Sequence, residues 1–312
     1  MFASLLAALA IAVAPQEQTA AVTPDQTSDA VRLEDVEVTG RRLDSLIRSF
    51  VDEVAAPNPN RGIARWDTRL CVGVANLRGE AAQYLVDRVS TVAEDIGLTP
   101  GAPGCKPNLM IIATEDGGAL AAELVRQHKG ALRMGGSGMD QGGAALRRFQ
   151  ETDRPVRWWQ VSMPVDSETG MRATRIPGEC TGTCTNLSDF APTINVFAAS
   201  RLSTQIIDNI FRTIVIVDVS QTSDVNINQL ADYIAMVSLA QINPDADTSA
   251  YASILNVFAE PDGAAWLTDW DRAYLAGLYD AERTRKSLRA GRSEIAASIH
   301  RAHEQSQSDQ PE

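Results

Sequence analysis

The sequence is short of histidine and of positive charge. Its 312 residues include three histidines, and 28 lysines and arginines against 40 aspartates and glutamates leave a net charge of −12. Phosphate backbones and anionic lipid repel a protein of this sign, which argues against nucleic acid or an acidic membrane surface as the partner. His128 stands alone in the middle of the chain, so a Ser-His-Asp arrangement would have to depend on it.

No apolar run is long enough to cross a bilayer as a stable helix. Residues 2–14 are apolar over a length typical of the core of an export signal. We therefore expect a signal peptide at residues 1–21, cleaved after Ala14 or Ala21, with an uncleaved anchor as the alternative. The protein is then periplasmic or secreted, and residues 22–35, which lack hydrophobic periodicity, are predicted to form a disordered linker.

Two glycine-rich signatures of catalysis are also missing. Residues 130–149 contain no GxxxxGK phosphate loop, and Met139 stands where the nucleophile elbow GxSxG needs its second glycine. We interpret this stretch as a flexible loop.

The clearest structural pattern is a βαβ unit. Strand patterns at residues 70–77 and 108–114 flank a helical pattern at 79–96. Parallel pairing of the two strands would bring Cys71 and Cys105 to the same end of the sheet. We expect a disulfide between them, which suits an exported protein and would contribute roughly 3–4 kcal/mol.

Cys180 and Cys184 are expected to form a second disulfide across a five-residue loop. Their CxxxC spacing fits neither a zinc site nor a redox pair. We therefore predict no metal and no cofactor at these cysteines.

The centre of the chain predicts a strand followed by a buried helix. Residues 211–219 form a β-branched run typical of a strand buried on both faces. Asn226 and Gln229 are spaced as a capping box, and the helix that follows to residue 242 is apolar nearly all round. Helices are also predicted at residues 267–280, where Thr268 and Asp271 are spaced as a second capping box, and at 286–302.

Together these elements predict one α+β domain, α/β-like in character, at residues 36–303. It would hold a mixed sheet with an N-terminal βαβ unit, a buried central helix and C-terminal helices. A subdivision near the loop at residues 165–195 is possible, residues 36–42 are expected to form a short edge strand, and residues 304–312 are expected to be a disordered tail.

Five segments carry a resemblance to known proteins: RLCVGVANL, GAPGCKPNLMIIAT, QLADYIAMVSLAQI, SILNVF and LTDWDRAYLAGLYD. Together they resemble an uncharacterised exported family of proteobacteria, and the C-terminal half resembles zincin-like lipoproteins. A zincin carries HExxH on the helix after its central sheet, with two imidazoles for zinc and a glutamate as base. In this chain the three positions hold Gln229, Leu230 and Tyr233. The resemblance therefore implies an evolutionary relationship without catalytic residues, metal or cofactor.

Two tryptophans mark a candidate binding surface. Trp158 and Trp159 are neighbours on a predicted strand and must point to opposite faces. One is expected in the core, and packing in a core or an interface is the more frequent fate of such tryptophans. The alternative is that the second is exposed and binds an envelope protein, peptide or glycan, together with Arg172 and Arg175 in the polar excursion at residues 166–192.

A second set of residues defines the alternative, a divergent zincin-like metallohydrolase with a lost or relocated metal site. Its candidate polar residues are Asp218, Asp224, Asp232, His300 and His303. A hydrogen-bonded buried acid is the favoured interpretation of Asp232, and solvent exposure that of the two histidines.

The sequence thus favours a non-catalytic exported binding protein over an enzyme. A structural envelope component without a small ligand is the third hypothesis.

Overall fold

The computed structural model describes residues 33–67, 69–134, 138–174, 194 and 200–308, with side chains from residue 43 onward. The chain divides into two compact units, Met1–Thr39 and Gly40–Glu312, and the description below concerns the second. The predicted signal peptide, Arg175, Cys180 and Cys184 lie outside the described residues.

Seven helices and six strands make up the described part of the chain. The helices are α1 (Leu33–Glu53), α2 (Gly79–Asp95), α3 (Gly117–Leu132), α4 (Gly142–Glu151), α5 (Ile227–Leu239), α6 (Asp269–Asp280) and α7 (Leu288–Ser308). The strands are β1 (Arg69–Leu70), β2 (Val72–Ala75), β3 (Thr99–Pro100), β4 (Leu109–Thr114), β5 (Val156–Asp166) and β6 (Ile206–Asp218). None of the helices in this part of the chain is long and apolar enough to span a bilayer.

The main sheet has four strands in the order β2-β4-β6-β5. β4 runs parallel to both of its neighbours, whereas β5 pairs antiparallel with β6. β1 and β3 form a separate parallel pair. The predicted α+β class with a mixed sheet is confirmed, and β6 is the internal strand that its β-branched sequence predicted.

The N-terminal βαβ unit is also confirmed. β2 and β4 are parallel, and α2 connects them. Cys71 and Cys105 form a disulfide with their Cα atoms 6.1 Å apart, closing a sequence separation of 34 residues. The bridge ties the start of β2 to the loop before β4, the end of the sheet at which parallel pairing places both cysteines.

The sheet buries a separate hydrophobic core on each face. Alternate residues of β6 point to opposite sides, so Val215 and Val217 lie in the larger core while Ile216 lies in the smaller one. The larger core also takes residues from α1, α2, α5, α6 and α7, and the smaller one takes residues from α3 and α4. β5 is an edge strand, yet every one of its residues is buried.

Both predicted capping boxes are present. The Asn226 side chain accepts from the backbone N–H of Gln229, whose own side chain accepts from the Asn226 N–H at 3.0 Å. Thr268 and Asp271 form the same reciprocal pair at the start of α6. Each box satisfies backbone donors that a helix N-terminus leaves without a partner.

Three predicted boundaries are wrong. Residues 33–42 belong to α1, so neither the linker to residue 35 nor the edge strand at 36–42 is correct. The preference of these residues for a strand is weak, and the amphipathic helix that follows extends back through them. α7 continues to Ser308, so residues 304–308 are helical rather than tail.

The prediction of a flexible loop is wrong for the second half of the glycine-rich stretch before β5. Residues 142–151 form α4, and Leu146 and Phe149, one turn apart, bury in the smaller core. Met139 is buried there as well, and Asp140 forms an ion pair with Arg133 at 2.9 Å. Glycine lowers helix propensity, but burial of these apolar side chains outweighs it.

Helices α6 and α7 approach each other closely at Gly277. A Cβ atom at this position would lie 2.4 Å from the backbone nitrogen and from the Cα of Ile299. Real Cβ atoms do not come this close to backbone, so the two helices can pack as they do only because residue 277 has no side chain.

We therefore expect Gly277→Ala to lower the free energy of unfolding by about 3 kcal/mol, because the two helices must separate. Gly291→Ala, also inside a helix but with no atom within 4 Å of the added methyl group, should raise it by about 0.5–1 kcal/mol. Urea titration followed by tryptophan fluorescence measures both, and equal stability of the two variants would contradict this packing.

Candidate functional site

The carboxyl edge of the parallel strands is the first place to look for a site in a sheet of this kind. Thr114 at the end of β4 and Asp218 at the end of β6 are neighbours there. Asp218 is buried, and its carboxylate accepts from the Gly117 amide at 2.9 Å, the Ser220 hydroxyl at 2.6 Å and the Ser220 amide at 3.2 Å.

These contacts make Asp218 a structural anion. Burial favours the neutral acid, but hydrogen bonds from Ser220 and Gly117 and the charge of Arg157 outweigh burial and lower the pKa of Asp218. The carboxylate thereby accepts from the first amide of α3, whose N-cap residue is Asp116, and caps the short turn that follows β6. An ionised carboxylate that is held by several donors is a poor general base.

Asp232 is the acid buried in α5, with 1% of its surface exposed. Arg88 on α2 holds it through two bonds, Nε to Oδ1 at 2.5 Å and Nη2 to Oδ2 at 3.0 Å. The Leu267 amide adds a third at 2.6 Å. The hydrogen bond with Asp232 raises the pKa of Arg88. Asp232 is thus the hydrogen-bonded acid that the sequence favoured, and it ties α5 to α2 and to the segment before α6.

The positions at which a zincin would hold zinc carry scaffold contacts. The Gln229 amide donates to the backbone oxygens of Pro261 at 2.5 Å and of Ala264 at 2.7 Å. Tyr233 packs edge-on against Trp158 and Phe258, and burial raises the pKa of its hydroxyl. These side chains hold the loop before α6 against α5.

The two histidines of α7 lie among different partners. His300 is 3.3 Å from Asp44 and 3.5 Å from Glu304, whereas His303 contacts Gln307. Asp224, the remaining candidate acid, is exposed in the turn before α5. Within the ranges the structure describes, no three His, Cys, Asp or Glu side chains are grouped so that they could hold a metal ion.

The expected tryptophan platform is wrong. Trp158 and Trp159 point to opposite faces, but only 8% and 4% of their surfaces are exposed. Helices cover both faces of β5, and each indole N–H is satisfied, by the Ile242 oxygen at 3.2 Å and by the Leu132 oxygen at 2.9 Å. The tryptophan that does reach solvent is Trp266, at 60% exposure.

Of the two arginines predicted beside the tryptophans, Arg172 is described. It is half-buried next to the end of β5 and lines an open groove of about 660 Å³ together with Phe211 and Arg212. It therefore does not share a surface with an exposed tryptophan of β5.

A basic cleft lies at the start of α7, and the sequence analysis missed it. The cleft has a volume of about 290 Å³ and lies between residues 57–63, the first residues of β6, residues 281–288 and the first two turns of α7. Five basic side chains line it, and two acidic ones: Arg61, Arg283, Arg285, Lys286, Arg292, Asp208 and Glu282.

The floor of the cleft is a buried ion-pair network. Asp208 is paired with Arg61, whose Nη2 lies 2.7 Å from Oδ1 of the acid. Arg283 donates to the backbone oxygen of Asp208 and to Oδ1 of Asn209. Burial lowers the pKa of Arg283 to about 10. Burial also raises the pKa of Asp208, and this effect exceeds the lowering by the charge of Arg61. Arg283 is therefore still a cation at neutral pH.

The rim of the cleft is open to solvent, and two of its three cations are paired with acids. Arg285 lies 2.9 Å from Glu282 and 3.4 Å from Glu294, and Arg292 lies 3.2 Å from Asp52. Lys286 is exposed, and among the described residues no acid lies within ion-pair distance of its ammonium group. The sequence does carry a signal for this site, because residues 282–292 read ERTRKSLRAGR in a chain that is otherwise acidic.

No family model, curated protein or solved structure matches the chain. Function therefore has to be inferred from the side chains and their surroundings.

The structural role of Asp232 can be tested directly. We expect Asp232→Asn to lower the free energy of unfolding by about 2–3 kcal/mol, because the amide cannot accept from both Arg88 and the Leu267 amide without turning a donor toward one of them. The exposed Asp224→Asn should change it by less than about 0.5 kcal/mol. Urea unfolding measures both variants. If Asp232→Asn left the free energy of unfolding unchanged, Asp232 would have no structural role.

Proposed function

We propose that the protein is an exported, non-catalytic binding protein of the bacterial envelope, periplasmic or secreted. The observation that carries this proposal is the use of the candidate catalytic groups. Asp218, Asp232 and Gln229 each hold backbone or a neighbouring helix in place. A reaction would have to break these contacts before it could use the groups.

Export is supported by the disulfide and by the N-terminal sequence. Cys71 and Cys105 stand at bonding geometry, and such bonds persist in oxidising compartments but are rare in the cytosol. The apolar stretch at residues 2–14 is of the length of a signal-peptide core.

Binding is supported by the basic cleft rather than by a tryptophan platform. The cleft is concave, open and chemically distinct from the rest of an acidic chain. Its candidate partners are an envelope protein, a peptide or a glycan that bears negative charge. The excursion at residues 166–192 lies largely outside the described residues and carries no part of this argument.

A divergent zincin-like metallohydrolase is the weaker alternative. Its metal would need ligands other than Gln229, Leu230 and Tyr233, because none of these three side chains is a zinc ligand of the zincin type. Stoichiometric zinc in the purified protein that is lost in Asp232→Asn would favour this alternative over the proposed function.

Export predicts an oxidised disulfide in the cell. In a Cys180→Ser/Cys184→Ser background, we expect the full chain in the periplasmic fraction of a Gram-negative host, with Cys71 and Cys105 labelled by maleimide only after reduction. The same protein without residues 1–21 should remain in the cytosol and be labelled without reductant. Cytosolic, directly labelled full-length protein would contradict export.

A further inference from the structure

The basic cleft concentrates positive charge on a protein whose net charge is −12. Both of its acids are already paired, Asp208 with Arg61 and Glu282 with Arg285. Arg292 lies 3.2 Å from Asp52, so Lys286 and Arg283 set the sign of the local potential. A concave, low-dielectric wall focuses that potential toward the space inside the cleft.

The start of α7 adds backbone donors to these charges. α7 is 21 residues long, and its first two turns line the cleft through Leu288, Gly291 and Arg292. In the part of the chain that the structure describes, no side chain accepts from the amides of Leu288, Arg289 or Ala290. Free N–H groups and the positive end of the helix dipole both favour an anion at this position.

Part of the cleft lining is apolar. Ile206 at the start of β6 and Leu288 at the start of α7 are 41% and 49% exposed, and Ile63, which packs against the larger core, also lines the cleft. A free inorganic anion would leave this apolar surface in contact with water. An organic molecule that carries an anionic group can cover it.

The donor set favours phosphate over carboxylate. Arginine forks present parallel N–H groups that match the oxygens of either anion. A phosphate group carries three oxygens and up to two charges, so it can use arginine, the Lys286 ammonium and the helix amides at the same time. A carboxylate has two oxygens and one charge and would leave part of this set unused.

The charge of the whole protein limits the size of the ligand. A nucleic acid or a membrane surface would extend beyond the cleft and meet the acidic remainder of the chain. A small ligand stays within about 8 Å of the cleft charges, the distance over which charge acts at physiological ionic strength.

We propose that the cleft formed by Arg61, Arg283, Arg285, Lys286 and the first turns of α7 binds the phosphate group of a small soluble organic molecule. The proposal rests on the proposed binding function, and it assigns a small phosphorylated ligand to this cleft in place of an envelope protein, peptide or glycan. The apolar wall of Ile63, Ile206 and Leu288 contacts the organic part of that molecule.

Calorimetry on the full chain tests the proposal with phenyl phosphate, inorganic phosphate and benzoate as probes. We expect saturable binding of phenyl phosphate, weaker binding of inorganic phosphate because it leaves the apolar wall uncovered, and weaker binding of benzoate because it offers fewer acceptors. Equal or tighter binding of benzoate, or no saturable binding of phenyl phosphate, overturns the proposal.

Two charge-matched double variants locate the site. Lys286→Gln/Arg292→Gln removes two rim cations, and we expect phenyl phosphate to bind about tenfold more weakly, as for the loss of two charge-assisted contacts. Arg126→Gln/Arg272→Gln removes two exposed arginines that do not line the cleft, each paired with an acid three residues earlier. This control should stay within about twofold of the wild type. Equal weakening in both variants overturns the assignment to the cleft.

A sedimentation assay separates a soluble ligand from a lipid headgroup. Vesicles of phosphatidylcholine with phosphatidylglycerol should leave the protein in the supernatant, because the acidic remainder of the chain repels them. Co-sedimentation of wild-type protein that fails to bind phenyl phosphate overturns the proposal in favour of a membrane surface. If none of these probes binds although the protein is exported with an oxidised disulfide, the proposed ligand class is wrong and the proposed function is unaffected.

Discussion

The burial of α5 against the sheet is the constraint on which the rest of the structure depends. Residues 231–239 are buried on every side of the helix. Each polar group that enters such a helix must find its partner inside the protein, since an unpaired buried charge costs several kcal/mol. Asp232 finds Arg88 on α2, and Gln229 finds the loop before α6. The helix therefore positions its neighbours through its polar side chains as well as its apolar ones.

This constraint separates scaffold from function. Helix α5 is fully used for packing, and Asp218 at the carboxyl edge of the sheet caps the turn after β6 and accepts from the first amide of α3. Positive charge collects instead at the periphery, in the cleft beside α7, where solvent reduces the repulsion between Lys286 and its basic neighbours. Binding at this rim leaves the contacts of the core undisturbed.

Local patterns sufficed for the elements whose residues meet neighbours close in sequence. The β-branched run of β6, the capping boxes of α5 and α6 and the βαβ unit with Cys71–Cys105 were all predicted correctly. α4 was missed because its glycines oppose helix formation and only burial of Leu146 and Phe149 in the smaller core stabilises it. The basic cleft was missed although residues 282–292 are rich in arginine and lysine, because its other walls come from residues 57–63 and 204–208, which are distant in sequence.

The sequence by itself determined the periodicities, the caps and the charge balance, since these depend on residues within a few positions of one another. Only the tertiary structure decided which surfaces remain open. Trp158 and Trp159 alternate as any strand requires, yet both are buried because helices from distant parts of the chain cover each face of β5. The cleft likewise exists only where the loop at residues 57–63, the start of β6 and α7 meet, and no local pattern encodes that meeting.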